Sequence, residues 1–113
     1  MKKNMRKRTI LIVAALALTA ALHAQSRKVI ADAKGRIGYA DVNGNKVIDC
    51  KYDSGTAFEN GTAIVMKSDK YGVIDEQGKE LIKLDYTQIV RWNDAMFLLC
   101  DGKKYGMADI DGN

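Results

Sequence analysis

The chain has 113 residues, with 18 basic and 14 acidic side chains, one histidine, two cysteines and no proline. Five of the basic residues (Lys2, Lys3, Arg6, Lys7, Arg8) and the single His23 lie in the first 24 positions, which hold no acidic residue. The remaining 89 residues carry 13 basic against 14 acidic groups, a formal charge of −1. That balance excludes the basic patch or stripe expected of a nucleic-acid binder, and the loss of the histidine removes the usual activator of a serine or cysteine nucleophile.

Residues 1–24 read as a cleavable signal peptide. A positive head is followed by an apolar run from Ile10 to Leu22, broken only by Thr19, and then by small residues up to Ala24. These are the three parts of a secretory leader. The run is 13 residues long, whereas a membrane span needs about 20. Cleavage after Ala24 leaves Gln25 first. Leu22 is an unusual residue three positions before such a cut, and a cut after Ala21 is the alternative. The reading therefore predicts a helical leader, a periplasmic or secreted mature chain, and no membrane span once the leader is gone. No cysteine lies near the cut to take a lipid.

Beyond the leader, one pattern repeats. Ile37-Gly38-Tyr39-Ala40-Asp41, Tyr71-Gly72-Val73-Ile74-Asp75 and Tyr105-Gly106-Met107-Ala108-Asp109 are spaced by 34 residues, without insertion. A fixed period of this size marks a repeat architecture. The match extends to Val29-Ile30-Ala31, Ala63-Ile64-Val65 and Phe97-Leu98-Leu99. It also covers Val47-Ile48 with Leu81-Ile82, Tyr52 with Tyr86, and Phe58 with Trp92. Each unit reads as a short apolar strand, a polar gap, a glycine-bearing strand, a tight turn, a return strand and an aromatic-containing connection. The units are 36–69, 70–103 and a partial 104–113, within a repeat domain spanning 25–113.

The turns are Asp41-Val42-Asn43-Gly44, Asp75-Glu76-Gln77-Gly78 and Asp109-Ile110-Asp111-Gly112. An aspartate opening a type I turn accepts from the amides ahead of it, and the fourth-place glycine takes the positive φ that lets a hairpin continue. In the return strands, Ile48, Cys50 and Tyr52, and again Ile82, Leu84 and Tyr86, alternate with polar residues. That places each trio on one face of a half-buried strand and argues against a helix over 79–92. Gly38, Gly72 and Gly106 weaken a strand intrinsically, so their recurrence predicts the close approach of another backbone or side chain. The third copy has no return strand before Asn113; an unpaired strand edge invites another chain. The predicted fold is all-β: tandem antiparallel hairpins of 34-residue period.

The run Lys70-Tyr71-Gly72-Val73-Ile74-Asp75, with Gly78-Lys79, Tyr86 and Trp92, resembles the WG-repeat proteins of bacteria, over essentially residues 28–113. In that family a Trp-Gly or Tyr-Gly pair opens the strand and Asp-x-x-Gly makes the turn. Tyr-Asp then follows the return strand, and Phe-x-x-Gly precedes the next apolar strand. Tyr52-Asp53 and Phe58-Glu59-Asn60-Gly61 fit these last two. The second unit departs, with Thr87 after Tyr86 and Ala95 where glycine is expected, and Ile37 replaces the opening aromatic in the first. The resemblance implies an all-β repeat, often exported, with no catalytic residues to carry over.

Few residues point to chemistry. Asp109-Ile110-Asp111-Gly112-Asn113 has the flavour of a calcium loop, but alignment on its glycine puts Met107 at the first ligand position, so it reads as a turn. Two cysteines are at most half of a zinc site. Cys50 and Cys100 permit a disulfide in an exported chain; their counterparts Leu84 and Met66 are apolar, so two buried thiols compete with the bridge. Tyr52, Tyr86, Phe58 and Trp92 recur as packing residues between units, and Trp92 is the strongest candidate for a partner contact. The expectation is an exported, non-enzymatic interaction module without cofactor, engaging a protein or its own copies through an open β edge. The alternative is a structural or truncated repeat fragment stabilised by self-association or a partner strand.

Overall fold

The structure is a computed structural model that describes residues 27–111. The expected leader, its helix and its cleavage site lie outside the described residues, as does Gly112. Every regular element described is a strand: β1 (Lys28–Ala31), β2 (Ile37–Ala40), β3 (Lys46–Tyr52), β4 (Ser54–Gly55), β5 (Thr62–Lys67), β6 (Lys70–Asp75), β7 (Glu80–Tyr86), β8 (Gln88–Arg91), β9 (Met96–Cys100) and β10 (Tyr105–Asp109). The 79–92 segment is accordingly extended, as its alternation predicts.

The strands form three antiparallel sheets. The first is β1-β2-β3, the second β4-β5-β6-β7, and the third β8-β9-β10. The sheets do not coincide with the repeat units. Each return strand pairs in its own sheet, bends at one residue, and enters the next sheet as its edge: β3 passes through Asp53 into β4, and β7 through Thr87 into β8. The aromatic-containing connection is thus partly a strand, β4 or β8, which the sequence reading did not anticipate.

Each crossing residue is held by the sheet that it enters. The Asp53 amide donates to the Met66 carbonyl at 2.8 Å, and the Asp53 carboxylate accepts from the Ser68 amide at 2.8 Å. The Thr87 amide donates to the Cys100 carbonyl at 2.8 Å, and its hydroxyl donates to the same oxygen at 3.0 Å. Ser68 and Asp69 form the two-residue β5–β6 hairpin loop with φ of 53° and 65°, the type I′ geometry that suits strand twist.

The aspartate turns form as expected. In the first, the Gly44 amide donates to the Asp41 carbonyl at 3.0 Å, and the Asp41 carboxylate accepts from the Asn43 and Asn45 amides at 2.9 Å each. The second repeats this with Asp75, Gln77, Gly78 and Lys79. The polar gap between β1 and β2, Asp32-Ala33-Lys34-Gly35, folds the same way: Gly35 donates to the Asp32 carbonyl, and Lys34 and Arg36 donate to its carboxylate. The Arg36 amide is the main cause of the lowered pKa of Asp32.

Two apolar cores separate the three sheets. One joins Tyr39, Ile48 and Tyr52 of the first sheet to Ala63, Val65 and Ile74 of the second. The other joins Val73 and Ile82 of the second to Ile89, Phe97, Leu99 and Ala108 of the third. Strand alternation lets β6 serve both, with Ile74 facing back and Val73 facing forward; both are completely buried. Burial of a side chain of this size is worth about 1.5–3 kcal/mol.

The return strands depart from simple alternation. Ile37 pairs with Tyr52 and Tyr39 with Ile48, so three residues, Asp49 to Lys51, stand opposite Gly38 alone. Likewise Lys83, Leu84 and Asp85 stand opposite Gly72. This three-residue bulge, larger than the common two-against-one kind, turns the middle residue over. Leu84 packs on the first core, while Ile82 and Tyr86 belong to the second. The expectation of one shared face for Ile82, Leu84 and Tyr86 is therefore corrected. Cys50, at the same bulge position, is likewise outside the core that holds Ile48 and Tyr52.

The bulge explains the glycines. A Cβ on Gly38 would lie 2.5 Å from the Ile48 carbonyl oxygen, and one on Gly72 would lie 2.7 Å from that of Ile82 and 2.8 Å from Leu84. At Gly106 it would meet nothing within 4 Å. Gly72→Ala is expected to lower stability by about 1–3 kcal/mol through overpacking against backbone, whereas Gly106→Ala is expected to leave it unchanged or raise it by up to about 1 kcal/mol. Urea melts of the two variants check this, and equal losses would contradict the account.

Tyr39 supplies a pH signature. It is fully buried and its hydroxyl donates to the Thr56 carbonyl at 2.7 Å. Burial, with a smaller effect of Tyr52, raises its pKa from 10.0 to about 12; burial also raises that of Tyr52, helped by Glu80. The folded chain therefore holds these protons more tightly than the unfolded chain. The associated stability is complete below pH 10 and lost as pH rises toward 12. The expected melting temperature is flat from pH 7 to about 9 and falls above about 10, with a shallower fall in Tyr39→Phe; identical alkaline profiles for the two proteins would refute this assignment.

Candidate functional site

The two inter-sheet cores are closed differently. Between the first and second sheets, Phe58 meets Tyr39 edge to face, with ring centroids 4.7 Å apart. Between the second and third, Arg91 does the corresponding work. Its guanidinium donates to the Thr62 hydroxyl at 2.9 Å and the Thr62 carbonyl at 3.1 Å, and its Nε lies 3.1 Å from the Glu59 carboxylate. It also sits 5.1 Å from the centre of the Phe97 ring. Glu59 is largely exposed, so the hydrogen bonds to Thr62 matter more than the ion pair. Sequence reading missed Arg91, because its counterpart in the preceding unit is Ala57 and the repeat pattern gives no signal there.

The recurring aromatics consequently separate into distinct roles. Tyr52 is buried in the first core, and Phe58 packs on its margin. Tyr86 lies half-buried against the second core. Trp92 does not reproduce the packing of Phe58: it is 64% exposed, and Val73 occupies the repeat position of Tyr39. The four residues are therefore not one contact surface. Tyr52 and Phe58 are structural, and the predicted role as partner contact is open only to Trp92 and the exposed part of Tyr86.

The disulfide permitted by the sequence is not formed. Cys50 and Cys100 are both free and half-buried. Cys50 is on β3 of the first sheet and Cys100 on β9 of the third, and the two cores place the second sheet between them.

The third sheet carries the most exposed apolar surface. Along β10, Gly106 and Ala108 turn toward the second core, so Tyr105 and Met107 turn outward. The equivalent residues of the other sheets are covered. Tyr39 and Val73 are 0% exposed where Met107 is 42% exposed, and Ile37 and Tyr71 are half-buried where Tyr105 is 71% exposed. Val90 is also exposed, and Leu98 and Cys100 are half-buried. A groove of about 250 Å³ runs between Val90, Leu98, Cys100 and Tyr105.

A second cleft, about 270 Å³, lies around Gly106, lined by Tyr86, Leu99, Asp101, Lys104, Tyr105 and Met107. Among the described residues, β10 pairs only with β9, so its other edge is open beside this cleft. Asp101 accepts from the Lys103 and Lys104 amides at 3.0 Å each, bonds that lower its pKa, that of Lys104 most. This carboxylate is therefore engaged in its own turn.

Asp41 and Asp75 are similarly committed to their turns, and Glu59 to Arg91. Among the described residues, no three His, Cys, Asp or Glu side chains gather as a metal site. No curated protein and no solved structure matches the chain. The WG containing repeat matches twice in succession, over residues 37–71 and 71–105. These matches span both glycine-bulge units and the crossing strand of each, and the chain belongs to the WG containing repeat family.

Proposed function

We propose that the protein is an exported, non-catalytic interaction module that engages another protein through the third sheet. The observation that carries this reading is the contrast along the repeat. The face bearing Ile37 and Tyr39, and then Tyr71 and Val73, is the one each sheet presents to the next; in the third sheet that face, with Tyr105 and Met107, is open among the described residues. An apolar surface rimmed by polar groups is suited to a protein partner. Aromatic residues such as Tyr105 and Trp92 are effective anchors in such contacts.

Export is supported by the order of charges and apolar residues in positions 1–24. A phosphatase fused after residue 30 is expected to be active, since that enzyme matures only outside the cytoplasm; an inactive, uncleaved fusion would remove export from the proposal. The absence of catalysis is supported by the engagement of Asp41, Asp75 and Glu59 in turns and an ion pair. A second reading, a structural piece stabilised by self-association, draws on the open edge of β10. It requires a sedimentation coefficient that rises with concentration, which a monomeric interaction module does not show.

The contact surface is tested with Tyr105→Ser/Met107→Ser. Both residues lie on the exposed face, so the melting temperature is expected to move by no more than a few degrees. Capture of partner proteins from envelope extract by the immobilised chain is expected to fall at least about tenfold, equivalent to ~1.4 kcal/mol. Undiminished capture by the double variant would overturn the assignment of this face.

A further inference from the structure

We infer that the cleft at the junction of the first and second sheets, lined by Lys51, Tyr52, Lys67, Lys70 and Glu80, is a binding site for a small hydroxylated phosphate monoester such as a sugar phosphate. The site uses no residue of the third sheet and stands apart from the proposed protein contact there.

The first ground is charge. Lys51 comes from β3, Lys67 from the end of β5 and Lys70 from the start of β6. The β5–β6 hairpin sets Lys67 and Lys70 directly opposite each other. None of the three makes an ion pair among the described residues. Asp101 senses the charge of Lys70, but its carboxylate is held by the amides of its own turn. Glu80 is the acidic residue of the lining, so three ammonium groups against one carboxylate leave an excess of two positive charges. A phosphate monoester carries about −1.5 to −2 at neutral pH and answers that excess, whereas a single carboxylate answers only part of it. Lysine suits this task, since it meets phosphate as a compact point charge with three donors.

The second ground is Tyr52. Its ring is packed in the first core and the residue is only 3% exposed, yet it lines the cleft. Its hydroxyl has no hydrogen-bond partner among the described residues and is not sealed from solvent. The other tyrosine of that core, Tyr39, donates to the Thr56 carbonyl. A rigidly held ring with an unused donor at its tip is suited to a fixed acceptor such as a phosphate oxygen. The Lys51 ammonium sits over this ring, 5.5 Å from its centre. Leu84 adds an apolar wall, and Glu80 can accept from a ligand hydroxyl. The cleft holds about 320 Å³, at the small end of the range for small-molecule sites.

The fold itself does not call for these lysines. One unit later, Lys51 and Lys67 are replaced by Asp85 and Asp101, and one unit earlier Lys67 is Ala33. The bulge opposite Gly72 forms with Asp85 in place, as the bulge opposite Gly38 does with Lys51. The positive charge of this cleft is therefore separable from the geometry of the repeat.

The experiment titrates glucose 6-phosphate into the isotope-labelled full chain at low ionic strength and follows the amide shifts. Saturable shifts centred on residues 51–53 and 67–70 are expected, with half-saturation below about 1 mM. Neutral glucose is expected to cause none, and glucuronate, which has one charge on a similar ring, to bind at least about fivefold more weakly. Lys51→Asp/Lys67→Asp installs the residues of the following unit at two exposed positions, so the melting temperature is expected to hold while affinity falls at least about tenfold. Lys67→Ala, the residue of the preceding unit, and Tyr52→Phe are each expected to lower affinity about threefold. Absence of saturable shifts, an equal response to glucose, or undiminished binding by the lysine variants overturns the inference. Glucuronate binding as tightly as glucose 6-phosphate overturns the assignment of phosphate.

Discussion

The structure depends on a strand that belongs to two sheets at once. β3 and β7 each hydrogen-bond within one sheet, turn at a single residue, and continue as the edge of the following sheet in β4 and β8. Everything else is arranged around that crossing. It sets how far apart consecutive layers can lie, because there is no linker to stretch. It also sets the direction each layer faces, because the strand arrives on one side only. The two crossings use different chemistry, a carboxylate accepting at Asp53 and a hydroxyl donating at Thr87, for one geometric task.

The bulge opposite Gly38 and Gly72 adapts the strand to this double role. A regular strand would keep Ile82, Leu84 and Tyr86 on one side. Two extra residues place Leu84 in the layer behind and leave Ile82 and Tyr86 in the layer ahead. One short segment thereby contributes apolar contacts to both cores, which matters in a chain of this size, where the buried fraction is limited. The two cores then tolerate different closures. Phe58 seals the first against Tyr39, and Arg91 ties the second through Thr62. Once Arg91 has taken that place, Trp92 is released from the role its position implies and stands in solvent.

Much of this was legible in the residues. The fixed spacing identifies the repeat, and Asp-x-x-Gly specifies its turns because few other sequences satisfy both the amides and a positive φ. The recurring glycine announces a close approach that the structure locates at the Ile48 and Ile82 carbonyls. Other features were hidden for physical reasons. Periodicity of two cannot reveal that Leu84 faces the opposite core, since a bulge changes pairing without changing the pattern of apolar and polar residues. The β4 and β8 edges lie within aromatic-bearing connections that look like loops, because each is short and carries no apolar alternation of its own. Arg91 is absent from the repeat pattern, and only contact with Thr62 and Phe97 shows its part. The cysteines were ambiguous in sequence because their separation depends on which layer each occupies.

Sharing a strand between layers also governs how the molecule comes apart. In many repeat proteins, neighbouring units meet only through side chains, so an end unit can fray while its neighbour survives. Here the first layer cannot detach without pulling at Asp53 and the edge of the second, and the second cannot detach without disturbing Thr87 and the third. Local opening is therefore transmitted along the backbone itself. Amide exchange near Tyr39 in β2 and near Phe97 in β9 would be coupled in time, as a single cooperative unit, even though those residues never touch.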